Sequence, residues 1–215
     1  MKKLLLAAAG VTIASPALAH HPLGGLPMET LAHGLLSGVG HPVLGFDHLF
    51  FVALMGVAAV FTGRKMLAPA AYIGAMLVGC AMIYAGVALP AVEGVVVASL
   101  VVLGGIVLSG RSLSFAPALV LFAAFGLFHG AAFGGSIAGQ EGGVGGAVLL
   151  GYFVGLGLIQ YAIALGAGWV AEKVLGATTA SAINARLAGA MVAGVGVFMA
   201  LEMVEGPIVA ILAGA

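Results

Sequence analysis

Apolar stretches of roughly 18 residues or more recur along the chain, nearly free of charge, and each is long enough to cross a hydrocarbon core about 30 Å thick as a helix. Inside lipid a backbone must satisfy its own hydrogen bonds, and a helix does so within one segment. Composition agrees, because 63% of residues are apolar and only 7% charged, where a soluble domain carries about 25% charged residues. No soluble surface can be assembled from such a sequence. Seven basic and seven acidic residues cancel, so there is no basic stripe to neutralise phosphates, and nucleic acid is excluded as a partner. The single cysteine, Cys80, rules out an intrachain disulfide or a thiolate cluster and reads as a small core residue. The expected fold is all-α and polytopic, with the lipid bilayer as its solvent.

The 36 glycines are too many for soluble helices, but small residues let membrane helices approach closely. Gly130 to Gly134 and Gly151 to Gly155 have the small-xxx-small spacing. Packing within one chain is the expected use, with a homo-oligomer contact as the alternative.

Residues 1–19, MKKLLLAAAGVTIASPALA, place Lys2 and Lys3 before a short apolar run and end on the small pair Ala17 and Ala19, the pattern of a cleavable signal peptide. Residues 20–43 mix Pro, Gly and His around a stretch, Leu31 to Leu36, that is too short to span; an interfacial or re-entrant segment on the outer side is expected. Residues 44–215 form the transmembrane domain, with six spans near 44–61, 67–89, 94–110, 115–133, 144–170 and 187–205. Basic residues of short loops collect on the cytoplasmic side. With the mature amino terminus outside, Arg64, Lys65, Arg111, Lys173 and Arg186 all fall inside, while Glu93 and Glu141 fall outside. Both termini are then expected outside a cytoplasmic (inner) membrane.

In so apolar a chain each ionisable group within a span marks a site or pathway. The richest cluster is HPVLGFDH, residues 41–48. His41 and His48 are two helical turns apart and share a face if one helix starts near Pro42, whose missing N–H is harmless in a first turn. Imidazole nitrogen and carboxylate oxygen suit nickel, cobalt or zinc, whereas magnesium and calcium want oxygen alone. Asp47 is equally a ligand or an acceptor that orients a ligating histidine. In GLFHGAAFG, residues 126–134, His129 sits at the depth of His48 counted from the outer edge, and Gly126 and Gly130 would admit the first span beside the fourth. Gly-x-x-His recurs at Gly45 to His48 and Gly126 to His129, in spans of opposite direction, which hints at a 3+3 inverted repeat.

A lone buried histidine is more often a packing residue than a ligand; three histidines with an aspartate at matched depth shift the balance, since burying them in lipid without a functional partner costs several kcal/mol. His20 and His21, with the new amino terminus, offer nitrogen donors for capturing a metal, and His33 would line the approach or sit in the interface. Glu202 and Glu205 read as a solvated helix end, and Met199 and Met203 as packing.

HPVLGFDH in the first mature span and FHGAAFG in the fourth resemble the HupE/UreJ family of nickel and cobalt permeases, over nearly the whole chain. The resemblance implies secondary uptake of nickel, or less often cobalt, to supply hydrogenase or urease. Carried over by motif, His41, Asp47, His48 and His129 would handle the metal. The larger nickel–cobalt transporters have a similar H-x-x-x-x-DH motif, from which the five residues between His41 and Asp47 depart.

The function expected is thus a permease, not an enzyme, with the divalent metal ion as substrate and no tightly bound cofactor. The chain has no Walker motif. Two rivals stand beside it. An intramembrane zinc hydrolase could use the same ligands with Ser136 and Glu141, and a non-transporting membrane subunit would bind metal without moving it.

Overall fold

The computed structural model describes residues 27–139 and 144–213. The expected signal peptide, His20 and His21 lie outside the described residues, as does Glu141. Seven α-helices follow one another: α1 Leu31–Leu44, α2 Phe46–Val60, α3 Leu67–Tyr84, α4 Val92–Leu108, α5 Phe115–Ala138, α6 Gly146–Trp169 and α7 Ile183–Ala213. No strand occurs among the described residues. Four of these helices (α3, α5, α6 and α7) are long and apolar enough to cross a membrane, and α1 with α2 makes a fifth candidate if the bent pair is one span. The chain is a multi-pass, all-helical membrane protein. Val120 and Leu158 are 67% and 65% exposed, as side chains that face lipid can be at no cost.

The first span departs from expectation. Instead of one helix beginning at Pro42, α1 and α2 meet at Gly45 with a bend of 80°, and Pro42 sits in the last turn of α1. Pro42 has no N–H to give the carbonyl four residues back, which weakens the helix there. Gly45, at ψ 99°, then turns the chain out of the helix while its N–H still reaches His41 O at 2.9 Å. The start of α1 is set by Thr30, whose hydroxyl accepts the His33 N–H at 3.1 Å. The segment expected to be interfacial or re-entrant is largely helix α1, which packs against α6 and meets α2 at the bend.

Other ends also shift. α5 continues past residue 133 to Ala138, and α7 begins at Ile183 and runs through the expected tail to Ala213. α6 finishes in a π-type turn, with Leu175 N–H bonding Val170 O at 3.0 Å and Ala177 N–H reaching Ala171 O at 2.8 Å. Gly176, at φ 66°, supplies the left-handed residue this C-terminal cap needs.

Close helix pairs form where glycine faces a backbone. α3 packs on α5, α1 on α6, and α4 on α7. Gly130 and Gly134 lie against the Met76 and Cys80 carbonyls, and Gly151 and Gly155 against those of Leu31 and Leu35. The glycine spacing thus serves packing within the chain. Gly126 and Gly130 admit Tyr72 and Met76 of α3, however, and not the first span. Gly130 is one residue from His129, so about 100° of helix rotation separates the two faces.

Charge divides the bundle end to end. Lys65 Nζ is 2.8 Å from Glu172, Arg64 lies 5.5 Å from the Phe115 ring centroid, and Arg186 Nε donates to Leu108 O at 2.9 Å. These contacts gather the ends of α2, α4 and α6 and the starts of α5 and α7 at one basic end. Asp47, Glu93 and Glu202 line one cavity at the other.

Candidate metal centre

Helices α1, α2, α4, α5 and α6 each contribute a side chain to one buried polar layer. His129 on α5 is 0% exposed, His48 on α2 5% and His41 on α1 8%. His48 Nδ1 lies 2.8 Å from His129 Nδ1. The matched depth of these two residues is realised as direct contact. His41 and His48, on separate helices, still bring their ring centroids within 6.2 Å, because the bend at Gly45 returns α2 beneath the end of α1. His41 Nδ1 is 3.1 Å from the Tyr152 hydroxyl of α6, which is also 3.2 Å from Phe133 O.

Asp47 occupies the first turn of α2, where its Oδ1 accepts the His48 N–H at 2.8 Å. A carboxylate suits a helix amino terminus, whose first N–H groups lack partners. Its Oδ2 stands 3.7 Å from His48 Nε2. The same aspartate lines a cavity of about 460 Å³ with Glu93, Glu202, Met199, Met203 and Ala132. Asp47 therefore stands between the cavity and the buried imidazoles.

Aromatic rings wall the layer. Phe133 lies 4.2 Å, centroid to centroid, from His48, and Phe51 4.5 Å from His129. Such packing holds the imidazoles in place and excludes water from their faces. Ser99 of α4 reaches His129 Nε2 at 2.9 Å. Further toward the basic end, the buried Tyr72 hydroxyl donates to Gln160 Oε1 at 3.0 Å.

Among the described residues, no three His, Cys, Asp or Glu side chains stand ready to hold a metal ion. The closest pair shows why. Two nitrogens about 2.0–2.1 Å from one tetrahedral metal are about 3.3 Å apart, so 2.8 Å between His48 and His129 is a hydrogen bond.

The family model described as HupE / UreJ protein matches residues 6–199. The chain belongs to the HupE/UreJ family. Protein HupE of Rhizobium leguminosarum bv. viciae is 29% identical over 185 residues, which cover 82% of this chain and 94% of that protein. No solved structure matches.

In this HupE/UreJ chain, then, the structure assembles His41, Asp47, His48 and His129. His33 is apart from them, partly exposed at the start of α1, where its Nδ1 accepts the Glu29 N–H at 3.2 Å. Sequence reasoning missed Ser99, Tyr152, Tyr72 and Gln160. A hydroxyl or amide inside an apolar run was the available signal, since each needs a hydrogen-bond partner once buried.

Proposed function

We propose that this HupE/UreJ chain is a secondary permease that carries a divalent transition metal, nickel foremost and cobalt next, inward across the cytoplasmic membrane. The observation that carries the reading is the buried His48–His129 pair joined through Asp47 to the acid-lined cavity. Carboxylates at the cavity draw a hydrated cation, and Asp47 with the His41 and His48 imidazoles replaces part of its water, while His129 holds His48 in place. Tyr72 and Gln160 continue the polar seam inward, between α3 and α6 as well as the first and fourth spans. The membrane potential favours inward movement of a doubly charged ion by roughly 4.6 kcal/mol per 100 mV, twice the single-charge value. Supply of hydrogenase or urease follows from the family resemblance.

The proposal includes six spans after a signal peptide cleaved after Ala19, with the mature amino terminus outside. α4, at 17 residues, would serve as the remaining span, at the lower end of the length a bilayer accepts. A 3+3 inverted repeat is supported by the pairing of helices. Exchanging the halves turns the α3–α5 pair into the α6–first-span pair and returns α4–α7 to itself.

Cells lacking other nickel importers should take up radiolabelled nickel when they express the protein, with cobalt competing. Correct insertion with uptake no higher than vector background for nickel, cobalt and zinc alike rejects the transport reading. Orientation has its own test. In a Cys80→Ala background, an impermeant thiol reagent applied outside should label Glu93→Cys and spare Arg64→Cys; labelling at 64 reverses the topology.

A further inference from the structure

The structure assigns Ser99 as a positioning residue that, through His129, fixes which nitrogen of His48 carries its proton. Ser99 has one hydroxyl proton and two neighbours. Its Oγ lies 2.6 Å from Val96 O and 2.9 Å from His129 Nε2. A carbonyl oxygen can only accept, and two oxygens 2.6 Å apart with no proton between them repel, so the hydroxyl proton belongs to Val96 O. Ser99 Oγ must then accept from His129, which places the His129 proton on Nε2.

The consequence passes to the next ring. A neutral imidazole has one donor and one acceptor nitrogen. With its proton on Nε2, His129 offers a lone pair at Nδ1, and the 2.8 Å contact there requires His48 to donate from its own Nδ1. In the neutral form that metal binding requires, the lone pair of His48 sits on Nε2, the nitrogen 3.7 Å from Asp47 Oδ2. Two electron-pair donors face one another beside the acid-lined cavity, the arrangement a cation needs. His129 supports His48 in this state as a hydrogen-bond acceptor, in the way a metal-bound imidazole is oriented by the partner of its other nitrogen.

Ser99→Ala removes the acceptor at His129 Nε2 and leaves a buried N–H with nothing to bond. The pair relieves this by shifting both protons: His129 from Nε2 to Nδ1, and His48 from Nδ1 to Nε2. The His48 lone pair then turns away from Asp47. Ser99→Thr keeps the hydroxyl, which can bond a carbonyl one turn back in the same way.

The consequence for transport rests on the permease reading, whereas the tautomers do not. Nitrogen-15 NMR of ring-labelled histidine, in the full-length protein reconstituted in lipid without metal, reads the tautomers directly. Expected are Nε2–H at His129 and Nδ1–H at His48 in the wild type, and the reverse in Ser99→Ala. Nickel uptake by Ser99→Ala should show an apparent affinity about 10-fold weaker or more, at normal abundance, and Ser99→Thr should recover most of it. Wild-type His129 protonated at Nδ1, or unchanged tautomers in Ser99→Ala, overturns the assignment. Absence of uptake by the wild type, with the tautomers as expected, counts against the permease reading and leaves the relay standing.

Discussion

His48→Ala and His129→Ala should each reduce metal uptake to below about a tenth of wild type, the scale on which partners around a metal centre act. The double variant should be scarcely worse than either. The two rings meet at 2.8 Å, and residues in one hydrogen-bonded unit couple, whereas distant ones act independently. Removing either ring leaves the other's Nδ1 facing a void inside aromatic walls, so its orientation is lost along with its donor. Asp47→Asn is the sharper probe. It keeps the shape and one oxygen, but removes the negative charge that offsets the desolvation of a dication, and it leaves His48 Nε2 without an anionic neighbour. Its uptake defect should exceed that of His33→Ala, since His33 is partly exposed and bonds the backbone near the start of α1. The measurement is initial uptake rate at matched membrane abundance. Normal rates in Asp47→Asn and His129→Ala would leave these residues a packing role, and the search for a path would move to Glu93 and Glu202.

Much of the fold was legible because lipid allows so few solutions: long apolar runs become helices, and charges retreat to their ends. The depth of His48 and His129 could be counted from the span edges, which makes their contact possible, whereas the adjacency of their helices is a matter of packing. The break at Gly45 could not be counted. Proline and glycine are common in membrane helices, and Pro42, which suits a first turn, instead occupies the last turn of α1. The role of Gly126 and Gly130 was misread for want of a rotation: their stripe faces α3, while His129, about 60° round from Gly126 and about 100° from Gly130, faces α2. Ser99 was invisible for a different reason. In the run Val95 to Val102 a serine reads as one more small residue, and only coordinates reveal that its oxygen has both a carbonyl and an imidazole within reach. Hydrogen-bond partners on other helices belong to tertiary packing, which periodicity does not encode.

Gly130→Ala should destabilise the bundle and abolish uptake with it. Alanine is ordinarily the better helix former, by about 1 kcal/mol, so an isolated helix would gain. Here a Cβ on Gly130 would overlap the Met76 carbonyl oxygen, and its neighbouring backbone atoms are also too close. A backbone oxygen held in a helix cannot swing aside as a flexible side chain does, so α3 and α5 must part. Overpacking of a close interface costs about 1–3 kcal/mol, which outweighs the propensity gain. Gly134→Ala, whose Cβ would stand 2.7 Å from Cys80 O, should show a milder form of the same defect. Gly135→Ala and Gly74→Ala meet nothing within 4 Å and should melt at or slightly above the wild-type temperature. Since His129 adjoins Gly130 in sequence, moving α5 also draws its ring from His48 and breaks the 2.8 Å contact. Thermal melting in detergent, with uptake measured on the same four variants, tests the chain of effects. A Gly130→Ala protein with wild-type melting and uptake would mean that α3 and α5 do not approach at this glycine, and that the pair of imidazoles is not held in register by their contact.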